Sequence, residues 1–211
     1  MSLAVRVSGR NRARKWRLFL REFPPTPQAA VLDVGYAGQD YSPVENYIEK
    51  HYPYPHRLTA LGVDDPAAFQ RLHPQVRAVR YDGGRFPFDD GQFDVCWSNA
   101  VLEHVGGQER QVAFLREIAR VARRAFITTP NRWFPIEVHT HVPLLHYLPK
   151  RLFDRLLVGL GKGWAAGDYM HLLDGGGLRR LLDRAGVGRY RIVRNRLWGW
   201  TLDFAVLFER D

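Results

Sequence analysis

The sequence predicts an α/β fold built on a mostly parallel, doubly wound sheet. Short apolar segments rich in β-branched residues alternate with segments in which apolar residues recur every three or four positions. The first pattern is typical of buried strands and the second of amphipathic helices, and their alternation indicates βαβ units. The chain has 211 residues without an internal repeat or a Gly/Ser-rich linker, so a single domain over residues 1–211 is expected.

A basic helix is predicted at the start of the chain, within residues 1–27. Its apolar residues fall on one helical face and its other positions are mainly arginine, and Pro24 and Pro25 end it. The apolar face consists of Trp16, Phe19, Leu20 and Phe23. Two interpretations are open: the face packs on the sheet, or the helix rests on a membrane surface or a polyanion.

The other elements follow in chain order. Five strands are predicted over 29–34, 58–63, 76–81, 93–97 and 125–129, with helices over 43–50, 66–72 and 108–121. A helix over 178–185, ended by Gly186, precedes two closing strands over 190–193 and 201–208. Residues 132–177 exceed what a minimal sheet needs and include an apolar helix over 151–160. Because ligands bind outside the carboxyl ends of such sheets, we interpret this insertion as a substrate lid.

Composition narrows the function classes. The net charge is +9 and arginine supplies nearly all of the positive charge, which suits a phosphate-binding surface or reflects a GC-rich genome. The single cysteine, Cys96, excludes an internal disulfide and a multi-cysteine zinc site. No apolar run is long enough to span a bilayer, and the N-terminus lacks a signal-peptide pattern. A cytoplasmic location is therefore expected.

Acidic residues stand near the ends of the first three predicted strands. Asp33 comes two residues before Gly35, whose lack of a side chain allows a sharp turn close to a ligand. Asp64 ends the second strand, with Asp65 as an alternative, and Asp82 follows the third. A carboxylate at a strand tip can accept hydrogen bonds from ribose hydroxyls.

These acids are followed by Phe86-Pro87-Phe88 and by Leu102-Glu103-His104-Val105. The combination resembles the class I S-adenosylmethionine (SAM) dependent methyltransferases, in the broad type 11 group, over roughly residues 31–208. The resemblance implies a Rossmann-like, seven-stranded sheet with an antiparallel edge, SAM as cofactor and S-adenosylhomocysteine as product. It assigns cofactor contacts to Asp33, Gly35, Gly38, Asp64, Asp82, Gly83 and Asn99.

The loop Gly35-Tyr36-Ala37-Gly38-Gln39-Asp40 departs from the patterns it is compared with. It lacks the third glycine that a dinucleotide site uses. It also places Tyr36 and Ala37 between the glycines, and Gln39 at a position where the methyltransferases have glycine. We expect Gly38 to substitute for the displaced glycine, so that SAM still binds, although a side chain at Gln39 would crowd the methionine moiety.

Methyl transfer to oxygen needs a proton acceptor as well as alignment of the reactants. The candidates are His104, His139 and Glu103, with His141 and His171 as further histidines. Ubiquinone-type and small-RNA 2′-O-methyltransferases resemble this chain around Glu103 and His104, and they bind a divalent metal through Glu-x-x-Glu-His and a later histidine. Ala100 replaces the first of those glutamates, so no metal is expected.

The acceptor is expected to be a small, hydrophobic or lipid- or sugar-linked molecule, with peripheral membrane contact as a further option. One alternative is a protein that methylates or binds RNA, which the basic charge favours. Against it, acids expected around the mouth of the cleft would repel phosphates: Asp82, Asp89, Asp90 and Asp94. Another alternative is an inactive methyltransferase-like scaffold, suggested by the altered glycine loop.

Overall fold

Seven strands form one sheet in this computed structural model, which describes residues 3–40, 42–137, 139–140 and 142–210. The strands are β1 Val31–Val34, β2 Leu58–Gly62, β3 Arg77–Arg80, β4 Phe93–Asn99, β5 Ala122–Pro130, β6 Arg189–Leu197 and β7 Trp200–Glu209. The α-helices are α1 Leu3–Glu22, α2 Tyr47–His51, α3 Pro66–Leu72, α4 Gln108–Val121, α5 Lys150–Gly159 and α6 Gly175–Arg184. The strand order is β3-β2-β1-β4-β5-β7-β6.

The directions of the strands agree with a doubly wound sheet. Strand β1 runs parallel to both β2 and β4, and β2 runs parallel to β3. Strands β6 and β7 pair antiparallel, with one shift of register between Asn195 and Arg196. The predicted α/β class, the mostly parallel sheet and its antiparallel edge are confirmed.

Helices α3 and α4 have the predicted bounds, and α6 begins earlier than predicted. Helix α3 begins at Pro66 because the preceding Asp65 accepts a hydrogen bond from the backbone N–H of Ala67 at 2.9 Å. Helix α4 spans 108–121 as predicted. Helix α6 begins three residues before the predicted start because Asp174 accepts a hydrogen bond from the backbone N–H of Gly177.

The chain divides into two compact units, and the first contains residues 1–98, 117–126 and 210. In its core, the apolar face of α1 packs on aromatic side chains of β4 and β5. The Phe19 ring lies 5.0 Å from Trp97 and 5.7 Å from Phe126, and Trp16 lies 5.9 Å from Trp97. Of the two interpretations of this helix, packing on the sheet is therefore the one observed, and its apolar face is buried.

The second unit contains the described residues of 99–116 and 127–209. The insertion over 132–177 falls entirely within it and has a small core of its own, made by Val142, Phe153, Leu157, Ala165 and Met170. Helix α5 supplies two of these side chains, and three short 3-10 helices supply much of the remaining secondary structure. No helix in the described part of the chain has both the length and the apolarity to cross a membrane.

Candidate functional site

In the first unit, the chain leaves β1 through a turn that only glycine adopts readily. Gly35 has φ 105°, and its N–H donates to the carbonyl of Leu61 on the neighbouring strand at 2.8 Å. Tyr36, the unexpected residue of this loop, is buried, and its ring lies 4.6 Å from Phe69. The loop has therefore placed its large side chain in the core, and Gln39 is exposed.

Glycine 62 makes room for this tyrosine. A Cβ at Gly62 would lie 2.7 Å from Cε1 of Tyr36 and 2.8 Å from Cδ1. The Tyr36 hydroxyl donates to the carbonyl of Asp64 at 2.8 Å. The ring of Tyr36, which follows β1, therefore occupies the space that a side chain at position 62 in β2 would need.

The predicted acids of the second and third strands stand at the carboxyl ends of those strands. Asp64 is exposed, and its Oδ2 accepts a hydrogen bond from the N–H of Gly38 at 3.0 Å. Asp65 instead caps α3. Asp82 is also exposed and accepts from the N–H of Gly84 at 2.9 Å, around Gly83 at φ 86°.

A buried asparagine that the sequence analysis missed fixes the loop after Gly35. Asn46 has left-handed backbone angles, and its Oδ1 accepts from the N–H of Ala37 at 2.9 Å. Its Nδ2 donates to the carbonyl of Ala37 and to Asp40, both at 2.9 Å. A side-chain amide reaching both backbone groups of Ala37 holds the loop in one conformation. The predicted helix over 43–50 included Asn46, whereas α2 begins one residue after it.

Asp33 is paired with a second buried carboxyl that sequence reasoning did not single out. Asp33 and Glu49 are both buried. Burial, and then the neighbouring carboxylate of Glu49, raise the pKa of Asp33 well above its usual value, and burial also raises the pKa of Glu49. Neither carboxyl oxygen of Glu49 has a hydrogen-bond partner among the described residues. Such a pair is a place where a cation is stabilising.

Two of the acids expected around the cleft mouth lie elsewhere. Asp94 is near the amino end of β4, and its Oδ2 accepts from the N–H of Ala30 at 2.9 Å, just before β1. Asp90 pairs with Arg120 of α4 at 2.8 Å. The expectation that they would repel phosphates at the cleft was wrong, because both stand at the amino end of β4 rather than at its carboxyl end.

In the second unit, the segment after β4 carries a buried glutamate. Asn99 accepts from the hydroxyl of Thr128 at 2.9 Å, and Ala100 has a left-handed backbone with φ 58°. A 3-10 helix, Leu102–His104, then turns Glu103 inward, where it is fully buried. The hydroxyl of Thr129 donates to Oε2 of Glu103 at 2.9 Å, whereas Oε1 has no hydrogen-bond partner among the described residues.

Two predicted histidines meet beside this carboxylate. Nε2 of His104 lies 3.1 Å from Nε2 of His139, and Oε1 of Glu103 lies 4.0 Å and 3.7 Å from these two nitrogens. The structure thus brings together the three residues predicted to be catalytic. His104 and His139 are 35 residues apart in sequence.

The orientation of His139 depends on Glu137, a second buried carboxylate that the sequence analysis did not assign. Nδ1 of His139 donates to Oε1 of Glu137 at 2.8 Å, and Thr140 donates to Oε2 through its N–H and its hydroxyl. Burial would raise the pKa of Glu137, but the hydrogen bonds and charge of His139, together with the bonds from Thr140, outweigh it and bring that pKa to about 2. His139 lies in a turn rather than in an extended segment, and His141 lies outside the described residues.

A cavity of about 240 Å³ lies within the second unit. Its walls are both apolar and polar, and they include Arg132, His146, Phe153, Met170 and His171. His171 joins it to the cluster, since its N–H donates to the carbonyl of Glu103 at 2.8 Å. The Oε1 of Gln111, which also lines the cavity, and the Nε of Arg132 have no hydrogen-bond partner among the described residues.

Comparisons with known proteins agree with this geometry. Residues 41–125 match the family model described as a methyltransferase domain. A SAM-dependent methyltransferase from Mesorhizobium loti has a TM-score of 0.62 and 13% identity, over 93% of this chain and 97% of that one. The chain therefore has a methyltransferase-like fold, and residues 41–125 resemble the methyltransferase family.

Other solved structures share this fold. The magnesium protoporphyrin IX methyltransferase ChlM from Synechocystis PCC 6803, which holds S-adenosylhomocysteine, has a TM-score of 0.60 and 14% identity, over 99% of this chain and 86% of that one. The CurJ carbon methyltransferase has a TM-score of 0.59 and 14% identity over 94% of this chain. This chain spans about half of that one, 53%. No curated protein matches the sequence significantly.

Proposed function

We propose that the methyltransferase domain uses SAM to methylate an oxygen of a small, hydrophobic or lipid- or sugar-linked acceptor. The observation that carries the cofactor assignment is the arrangement of Asp33, Asp64 and Asp82 at the carboxyl ends of β1, β2 and β3, around a loop that begins at Gly35. Ligands of open α/β sheets bind at this edge. The S-adenosylhomocysteine held by the fold's relatives supports the same assignment.

Each acid has a role that its surroundings support. The buried carboxyls of Asp33 and Glu49 would accept the ammonium group of the methionine moiety, which stabilises their ionised forms. Asp64 keeps one carboxylate oxygen for the ribose hydroxyls while the other holds the N–H of Gly38. Asp82 is arranged similarly for the adenine amino group, with one oxygen on the N–H of Gly84. We assign Gly83 to the adenine site and Asn99 to the methyl-donor side.

The reaction forms a bond between the acceptor oxygen and the methyl carbon, and breaks the bond between that carbon and sulfur. The domain contributes mainly alignment, which is worth about 7–11 kcal/mol of such a barrier. A hydroxyl acceptor must also lose its proton, and we assign this step to the cluster of Glu103, His104 and His139. The cluster holds two imidazole Nε2 atoms 3.1 Å apart beside the carboxylate of Glu103, and imidazole is a common acceptor of a hydroxyl proton.

The acceptor class follows from the cavity in the second unit. Phe153 and Met170 offer an apolar surface, while Arg132 and Gln111 offer polar atoms that need partners. A molecule with an apolar body and a hydroxyl or anionic group satisfies both parts of this wall. This supports an amphipathic small molecule over a purely apolar one.

Calorimetric titration tests the cofactor assignment. Asp64→Ala and Asp82→Ala should each weaken binding of SAM and S-adenosylhomocysteine at least tenfold, since each removes a charge-assisted hydrogen bond worth about 1.5–3 kcal/mol. Asp89→Ala is the matched control, because Asp89 is an exposed acid preceding β4. Wild-type affinity in both test variants, with the fold intact, would refute the site.

The alternative of an inactive scaffold loses its main argument. It rested on a glycine loop closed by bulky residues, but Tyr36 is buried beneath the loop and Gln39 is exposed. The RNA alternative keeps the net charge of +9 in its favour, and it no longer faces Asp90 and Asp94 as opposing charges at the cleft. A salt-dependent RNA-binding assay separates it from the proposal above.

A further inference from the structure

The distances within the cluster of Glu103, His104 and His139 define a point suited to a metal ion. The three facing atoms are separated by 3.1, 3.7 and 4.0 Å. Three atoms with these separations share a common point about 2.1 Å from each, the centre of the circle that passes through them. Zinc binds histidine nitrogen and carboxylate oxygen at about 2.0–2.2 Å. A tetrahedral ion lies out of the plane of three such ligands and needs them about 3.4 Å apart, so the carboxylate oxygen must move about 0.5 Å closer to the histidines to bind one.

Hydrogen bonds at Nδ1 of both imidazoles leave Nε2 as the nitrogen that can bind a metal ion. Nδ1 of His104 lies 2.9 Å from the carbonyl oxygen of Tyr169, and Nδ1 of His139 lies 2.8 Å from the carboxylate of Glu137. Both partners only accept, so each Nδ1 carries a proton, and Nε2 is the nitrogen of each ring that is left to bind a metal ion. Two lone pairs at 3.1 Å repel each other unless a proton or a cation lies between them.

The buried carboxylate is an independent observation that points to the same ligand. Glu103 is 0% exposed, and its Oε1 faces the two nitrogens without a hydrogen-bond partner among the described residues. A buried, unsatisfied carboxylate oxygen is costly. A cation beside the three atoms offsets that cost, because it compensates the charge of Glu103 and binds the oxygen that has no hydrogen-bond partner.

Each of the three side chains is also held from behind. Thr129 donates to Glu103, Tyr169 accepts from His104, and Glu137 accepts from His139. Outer partners of this kind fix the tautomer and the direction of metal ligands, and a carboxylate behind a histidine is their common form. A cluster assembled only by packing does not need this second set of contacts.

We propose that Glu103, His104 and His139 bind one divalent transition cation, with zinc as the reference ion. Three protein ligands leave at least one coordination position open, and the two histidine side chains are 19–25% exposed, so that a small molecule can reach them. A hydroxyl bound at that position is made more acidic by the cation. This inference rests on the proposed function and gives the cluster a metal-assisted role, in place of proton removal by a bare imidazole.

The sequence analysis predicted no metal site because Ala100 replaces the first glutamate of the metal-binding motif. That argument counted ligands along a motif, and the structure brings Glu103, His104 and His139 together without Ala100. The alternative occupant is a single proton shared between the two Nε2 atoms. Direct metal binding distinguishes the two.

The test is zinc binding by the full chain after treatment with EDTA and removal of the chelator. Calorimetric competition with a chromophoric chelator should give one Zn²⁺ per chain, and Mg²⁺ at the same concentration should not compete, because it prefers oxygen ligands. His104→Ala and His139→Ala should each lower the zinc affinity at least tenfold. His56→Ala, which removes an exposed histidine of the first unit, should leave affinity and stoichiometry unchanged.

Glu137→Gln tests the positioning of His139 separately from the ligands. It should lower zinc affinity about 10–100-fold while circular dichroism and S-adenosylhomocysteine binding stay unchanged. The proposal is overturned if the wild type binds no zinc, or if the two histidine variants bind it as the wild type does. Zinc binding without SAM binding would instead leave the metal site in place and refute the proposed function.

Discussion

The close contact between Tyr36 and Gly62 predicts that Gly62→Ala destabilises the protein. The same substitution at a site with free space would stabilise it. In a strand with free space, replacing glycine by alanine stabilises a protein by about 0.5–1 kcal/mol through the unfolded chain. At Gly62 the added Cβ would lie 2.7–3.0 Å from three ring carbons of Tyr36. The ring cannot step aside, because its hydroxyl is bonded to Asp64 and its other side faces Phe69.

The steric cost should therefore outweigh the gain. Overpacking of a filled core costs about 1–3 kcal/mol, which leaves a net destabilisation of about 1–2 kcal/mol for Gly62→Ala. In a domain of this size, this corresponds to a fall in Tm of about 2–8 °C. Affinity for SAM should fall as well, since Tyr36 supports the loop that bonds Asp64. Thermal unfolding and calorimetric titration measure the two effects.

A double-mutant cycle supplies the control. In a Tyr36→Leu background the ring is gone, so Gly62→Ala should change from destabilising to neutral or stabilising. If Gly62→Ala raises Tm in the wild-type background, or costs the same in both backgrounds, the reasoning about this loop is wrong.

Three further predictions follow from the described residues. Glu49→Gln should raise Tm at pH 8 more than at pH 5. Because the pKa values of Asp33 and Glu49 are raised, their contribution to stability is full below about pH 4 and is lost as the pH rises through those values. An equal change in Tm at both pH values would contradict this. The same variant should weaken SAM binding, and wild-type affinity would remove Glu49 from the ammonium site. RNA should show no saturable binding in a filter assay at about 50 mM salt, whereas binding that falls steeply toward 200 mM would favour the RNA alternative.

The fold was largely predictable because its signals are local. Helix α3 has an aspartate cap and a proline at its first position, and helix α4 has a clear apolar stripe, so both ranges were predicted correctly. Strand ends were less accurate: β6 runs to Leu197, four residues beyond the prediction. That extension depends on pairing with β7 through the turn at Trp198 and Gly199, which a pattern within one strand does not report.

The candidate site was predictable in its residue types but not in its contacts. Tyr36 departed from the expected glycine-loop pattern, and the sequence did not explain it because the residue that makes room for it, Gly62, belongs to another strand. Glu49 resembled an ordinary helical glutamate, and only burial beside Asp33 distinguishes it. His139 was a candidate proton acceptor without a predicted partner, and a turn held by Glu137 places it beside His104. Long-range packing decides each of these cases.

The most direct test of the central claim is isothermal titration of the purified chain with SAM and with S-adenosylhomocysteine. The assignment of Asp33, Asp64 and Asp82 predicts saturable binding of both ligands in the micromolar range, with one site per chain. A folded protein that binds neither ligand would contradict it.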